Sequence, residues 1–224
     1  MKLSELFYSI QGEGTLAGVP SVFIRTTGCN LRCVWCDTPY TSWKPEGTEH
    51  SLDEILAYVA EHSKGHTVIT GGEPMIAPAI VELTERLAAR GEHITIETAG
   101  TVVESVTCHL MSISPKLANS TPGDTQWAKQ HERLRIQPDA LLRLMSDYPY
   151  QLKFVVATEA DLPEITSLVR TLNADPSRVL LMPEGTDRDV LRERGVWLAE
   201  VAKREGFRFS PRLHVELYGN RRGT

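Results

Sequence analysis

The sequence predicts an α/β fold: a partial (incomplete) β/α barrel of about six strand–helix units around a mainly parallel sheet. Three observations predict it. Apolar, β-type runs alternate with amphipathic helical stretches along the chain. The polar, glycine-rich segments follow strands and precede helices, as loops at the carboxyl ends of parallel strands do. And 224 residues are too few for a full eight-unit barrel, so the sheet stays open. No low-complexity segment, fixed-period repeat or linker-like break appears, and residues 1–224 read as a single domain.

The strands follow from β-branched and aromatic content. They are Ser21–Thr26, Thr67–Thr70, Ile94–Glu97, Leu110–Ser114, Leu152–Val156, Val179–Met182 and Phe207–Phe209. Upstream, Phe7 to Gly14 reads as a glycine turn between two short strands. Helices follow from capping and period. Ser51 and Glu54 have capping-box spacing ahead of Leu52, Ile55, Leu56 and Val59. Pro78 suits the first turn of a helix with Ile80, Leu83 and Leu87 inside and Gly91 at its end. Leu162, Ile165, Leu168, Val169 and Leu172 mark another, and Thr186 can cap a long one carrying Val190, Leu191, Leu198 and Val201. Asn119 to Pro138 is polar and without period, which predicts an irregular insertion acting as a lid.

Composition narrows the function. Net charge is −5 and the pI about 5.8, without the basic face that a nucleic-acid binder usually shows. The one basic cluster, Arg221 and Arg222 with Arg212 nearby, reads as solvated. A small-molecule substrate is expected, with no direct nucleic-acid contact. No run approaches the roughly 18 apolar residues of a membrane span, and Met1–Phe7 lacks a secretory pattern, so the expected location is the cytoplasm.

Of four cysteines, Cys29, Cys33 and Cys36 share one short segment. Clustering argues for metal or catalysis rather than a disulfide framework. A closed zinc site wants four protein ligands and iron–sulfur clusters usually take four cysteines. Three thiolates on a 4Fe–4S cluster would leave one iron open to an exogenous ligand. A zinc site completed by a distant histidine (His50, His62 or His66) and buried free thiols are the alternatives. Thr70-Gly71-Gly72-Glu73-Pro74 could expose backbone to a ligand or be an ordinary strand-to-helix turn. Cys108 fits no motif and reads as a small buried hydrophobe.

The Cys-x3-Cys-x2-Cys spacing, with Trp35 before the last cysteine and Gly-Gly-Glu-Pro downstream, resembles radical S-adenosylmethionine enzymes. That resemblance implies that the open iron chelates the cofactor's methionine end. Gly72 would hold the amino-acid portion. Ser114-Pro115-Lys116 and Leu181-Met182-Pro183-Glu184 would line the remainder, and Glu97-Thr98-Ala99-Gly100 would either add hydrogen bonds to the cofactor or form a capped turn. Gln11-Gly12-Glu13-Gly14, Cys36-Asp37-Thr38 and the ending Tyr218 to Thr224 narrow the likeness, over essentially the whole chain, to the 7-carboxy-7-deazaguanine synthase family. This resemblance implies a lyase that contracts a pterin ring, uses Mg2+ held by Thr38, takes electrons from a reductant such as flavodoxin, and forms a homodimer. It further implies substrate contacts from Ile10, Gln11, Gly12, Glu13, Arg25, Thr70 and His214. The longer tail argues against a substrate contact from the C-terminal carboxylate. Two rival readings are a glycyl-radical activating enzyme and a non-enzymatic zinc or iron–sulfur module. The first leaves Gln-Gly-Glu-Gly unexplained, and the second needs a fourth protein ligand.

Overall fold

The computed structural model describes residues 1–123 and 126–224. One nine-stranded sheet runs through it in the order β3-β1-β2-β4-β5-β6-β7-β8-β9. Its strands are β1 (Lys2–Ile10), β2 (Pro20–Thr26), β3 (Thr48–Glu49), β4 (His66–Gly71), β5 (His93–Thr98), β6 (Leu110–Ile113), β7 (Tyr150–Val156), β8 (Val179–Pro183) and β9 (Arg208–Phe209). From β2 through β9 every neighbouring pair is parallel, whereas β1 is antiparallel to β2 and to β3. The open α/β barrel-like fold is therefore as expected. All seven predicted strands are present. Of the segment read as a glycine turn between two strands, Phe7 to Ile10 end β1, a nine-residue strand rather than a short one, and Gln11 to Gly14 begin the loop that joins it to the antiparallel β2.

Helices α1 (Pro39–Ser42), α2 (Leu52–His62), α3 (Ile80–Ala88), α4 (Ala128–Leu134), α5 (Pro138–Asp147), α6 (Leu162–Thr171), α7 (Arg188–Glu205) and α8 (Leu213–Tyr218) complete the chain. Helix α2 begins with the predicted capping box. Pro78 lies before α3 rather than in its first turn, because Ala79 takes a left-handed conformation there, φ 62°. Helix α7 is capped by Asp187, one residue past Thr186, since the Asp187 carboxylate accepts from the Asp189 and Val190 amides.

The expected irregular lid at 119–138 is corrected in part. It contains α4, and Asp124 and Thr125 within it lie outside the described residues. A weak apolar period hid this helix because polar bonds anchor it. His131 is buried, its Nδ1 accepts from the Arg32 amide at 3.1 Å, and its Nε2 lies 2.9 Å from Ser120 Oγ. The segment buttresses the cysteine loop. Helix α5 went unpredicted; Leu141 and Leu144 are its buried residues.

Alternation along the strands separates two environments. Ile24, Ile69, Ile96, Ile113, Phe154 and Leu181 join the main core with Ile55, Leu56, Leu83, Leu87, Leu168 and Leu198 from the helices. The intervening residues face the concave side. Phe7, Phe23 and Val68 form a small apolar cluster there, with Phe7 stacked on Phe23 at 4.9 Å. Beyond it the strand register aligns Arg25 with Thr70 and Glu97 with Ser112. Strands buried on both faces usually read as continuous apolar runs, so polar residues at these positions mark a functional lumen. Cys108 packs, partly buried, against the main core as expected. No helix among the described residues is long and apolar enough to cross a membrane.

Candidate active site

A cavity of about 470 Å³ opens on the concave face at the carboxyl ends of the parallel strands. Cys29, Cys33 and Cys36 line it, on the loop between β2 and α1. That loop is held by its backbone: Trp43 Nε1 donates to Cys33 O at 2.9 Å and Val34 N to Ser120 O at 2.9 Å. Gly72 presses on it so closely that a Cβ would stand 2.0 Å from Gly28 O and 2.9 Å from Cys29 Cβ. Only glycine permits that approach.

The three thiols suit a cluster. They form no disulfide and line one cavity, and thiolate is the donor that iron–sulfur chemistry uses. Burial pushes the Cys29 thiol up to about 12 and Cys33 up to about 11, so a metal bound there would displace protons. The histidines that could complete a zinc site lie elsewhere. His50 bonds Thr48, His62 bonds the Tyr58 carbonyl, and His66 is buried between Ser21 and Thr95. None of the three lines the cavity.

Glu73 of Gly-Gly-Glu-Pro turns inward. Its carboxylate accepts from Thr98 Oγ1 at 2.7 Å, Ala99 N at 2.8 Å and Met75 N at 3.1 Å, tying the end of β4 to that of β5. Burial raises its pKa against these bonds and Lys116. Gly72, Ser114, Lys116, Met182 and Glu184 line the cavity, whereas Leu181, Pro183 and Pro115 do not. Leu181 belongs to the helix-covered core. Lys116 Nζ folds onto Ser114 O at 2.8 Å and Ser114 Oγ at 2.9 Å, and Glu184 pairs with Arg194.

Ile10 to Glu13 enter the lumen from the opposite direction, because β1 runs antiparallel. The loop is closed by Gly18 N on Gln11 O and Gln11 N on Val19 O, both 2.7 Å. It crosses to the far strands, where Thr15 N donates to Gln151 Oε1 at 2.9 Å and Gly14 N to Ser210 Oγ at 2.8 Å. Gln11 Nε2 reaches Glu97 Oε1 at 3.1 Å. Gly12 lies against His214, where a Cβ would stand 1.9 Å from Nδ1. Glu13 pairs with Lys153 and, at 3.0 Å, with Arg212 Nε. Burial would raise the Glu13 carboxyl, but Lys153 and Arg212 outweigh it and hold it well below the usual range. Burial lowers the pKa of His214 despite the Glu13 carboxylate.

Arg25, Thr70, Thr38 and His214 also line the cavity. Arg25 Nε lies 2.6 Å from Glu5 Oε2, although the N–H is not aimed at it and remains unpaired. Thr38 Oγ1 accepts from Thr41 Oγ1 at 3.4 Å. Thus 16 of 19 predicted site residues line one cavity. Sequence reasoning missed Lys153, Asp37, Tyr40 and Arg212, and it left Glu97 undecided between a cofactor contact and a capped turn. A lysine inside the apolar run Leu152–Val156 was a readable signal. Arg212 corrects the expectation of a solvated tail: it is 6% exposed and fully engaged. Asn220, Arg221, Arg222 and Thr224 lie along the cavity too, with Arg222 3.6 Å from the Tyr40 ring centroid.

Comparison with known proteins agrees with this geometry. Residues 23–114 match the model of the Radical SAM superfamily. The chain is 46% identical to the 7-carboxy-7-deazaguanine synthase of Rhodopirellula baltica, covering 99% of this chain and 88% of that protein. With the 7-carboxy-7-deazaguanine synthase of Halobacterium salinarum the identity is 47%, covering 98% and 91%. The crystal structure of QueE from Escherichia coli superposes with a TM-score of 0.71 at 28% identity, covering 95% and 94% of the two chains. The chain belongs to the 7-carboxy-7-deazaguanine synthase family, within the radical S-adenosylmethionine enzymes.

Proposed function

We propose that the cavity converts 6-carboxy-5,6,7,8-tetrahydropterin to 7-carboxy-7-deazaguanine with release of ammonia, a carbon–nitrogen lyase reaction that supplies queuosine and other 7-deazapurines. The supporting observation is that three thiols and Gln11, Gly12 and Glu13 of the Gln-Gly-Glu-Gly loop, which follow antiparallel neighbouring strands, line one cavity. Its volume, about 470 Å³, suits small ligands rather than a protein loop, which argues against a glycyl-radical activase.

The 4Fe–4S cluster on Cys29, Cys33 and Cys36, with S-adenosylmethionine beside Gly72, Ser114, Lys116, Met182 and Glu184, would supply a 5′-deoxyadenosyl radical able to take the hydrogen from pterin C6. The chain's own part is recognition. Glu13, ionised, keeps lone pairs free of Lys153 and Arg212 to accept from the pterin's amino edge. Gln11 and the Gly12 backbone read the same edge, and His214 and Thr70 add polar contacts. The fork of Arg25 suits the substrate carboxylate. Thr38 offers a hydroxyl to Mg2+, a hard cation that takes few protein ligands and completes its shell with substrate and water oxygens. The loop from Gln11 to Val19 and the tail from Asn220 exclude water. We further assign a flavodoxin-type reductant, a homodimer, a cytoplasmic location and one domain over 1–224.

Anaerobic reconstitution with iron, sulfide, reductant, Mg2+ and S-adenosylmethionine, with and without the pterin, tests this by mass spectrometry. 7-Carboxy-7-deazaguanine is expected only with the pterin. Formation of 5′-deoxyadenosine in the presence of the pterin but without that product would retain the radical enzyme and discard the substrate.

A further inference from the structure

Arg212 joins three separate segments through three separate nitrogens. Its Nε donates to Glu13 Oε1 at 3.0 Å, its Nη1 to Gly185 O at 2.6 Å, and its Nη2 to Asp37. Glu13 is the carboxylate of the substrate loop. Asp37 lies between Cys36 and Thr38, and Gly185 follows β8 beside Glu184. The neighbouring residues grip the same loop: Leu213 N donates to Gly12 O at 2.8 Å, and the His214 ring fills the space over Gly12. Lys153 takes the other oxygen of Glu13. Two carboxylates therefore face two cations across the lumen.

We propose that Arg212 is a positioning residue: it sets the spacing between Glu13 and the Asp37–Thr38 turn, and thereby the affinity for the pterin, without touching it. This rests on the substrate reading above. A planar guanidinium donates in several fixed directions from one buried centre, whereas a lysine ammonium is a single point on a flexible stem. Charge alone, supplied by lysine, cannot hold three acceptors at these separations. Of the residues assigned to S-adenosylmethionine, Gly72, Ser114, Lys116, Met182 and Glu184 have no bond to Arg212, which reaches that wall only through the neighbouring Gly185 carbonyl, so the pterin should respond more than the cofactor.

The test is calorimetric titration of wild-type, Arg212→Lys and Arg212→Gln holoproteins with the pterin and with S-adenosylmethionine, Mg2+ present throughout, beside thermal midpoints. Both variants should lose pterin affinity by about 10- to 100-fold while S-adenosylmethionine affinity moves by less than about threefold. Full rescue by lysine overturns the proposal, as does equal loss for both ligands with a lowered midpoint. If Arg212→Gln fails to fold, Asp37→Asn decides, since it removes one arm only. It should weaken pterin binding by about fivefold, with little further loss when added to Arg212→Lys; additive losses would overturn the coupling. Absence of pterin binding by the wild-type holoprotein would overturn the substrate reading, and this role with it. Normal wild-type binding with unchanged variants would overturn the positioning role alone.

Discussion

Glu5 and Arg25 face each other directly across the β1–β2 ladder, with Glu5 Oε2 2.6 Å from Arg25 Nε. The same carboxylate accepts from Tyr40 Oη at 2.8 Å and from Gly223 N at 3.1 Å. Glu5 thereby holds the arginine at the lumen wall and connects it to helix α1 and the tail.

Replacing Arg25 with alanine should cost the pterin far more than S-adenosylmethionine. A loss of about 3 kcal/mol in pterin binding is expected for a charge-assisted fork, with cofactor affinity nearly unchanged. Equal losses in the two calorimetric titrations would remove Arg25 from the substrate site.

Lys153→Met should lower stability by about 3 kcal/mol, because it strips a buried carboxylate of one of its two cations. Adding Glu13→Gln should restore part of that loss. Urea unfolding of the single and double variants checks this, and a double variant less stable than Lys153→Met would contradict the pairing.

Cys33→Ala should leave a folded protein without a cluster. The main core does not include Cys33, which belongs to a small satellite with Leu31 and Ala99. Far-ultraviolet circular dichroism should be retained while iron content and visible absorbance vanish. Full iron loading of the variant would refute the ligand assignment.

Acidification should destabilise the fold through His66. Its Nδ1 lies 2.7 Å from Ser21 Oγ and its Nε2 2.9 Å from Thr95 Oγ1, and burial, with His93 nearby, lowers its pKa to about 4. The unfolded chain binds a proton near pH 6.5, so the neutral ring's contribution is complete above that pH. It is lost as pH falls toward about 4, a change of about 3 kcal/mol. Urea midpoints measured at several pH values should show this slope in the wild type and a flatter one in His66→Asn.

Local rules carried much of this molecule. The β-branched runs became strands because their side chains fit a pleated, half-buried surface. Ser51 and Glu54 started α2 because a capping box satisfies amides within four residues. The cysteine spacing was legible because three ligands on one loop need no distant partner. Helix α4 was not legible, since its anchor is the bond between His131 and the Arg32 amide, 99 residues away in the chain.

By itself, the sequence determined the strand–helix alternation, the thiol loop and the family. Each depends on contacts between near neighbours or on an ordered motif. Only the tertiary structure decided that β1 runs antiparallel, that Glu13 meets Lys153 across 140 residues, and that Arg212 is a buried hub rather than a solvated tail charge. Such pairings depend on which strand faces bring charges together in a space closed to water. Their partners are set by the register of the whole sheet, which no local stretch of sequence encodes.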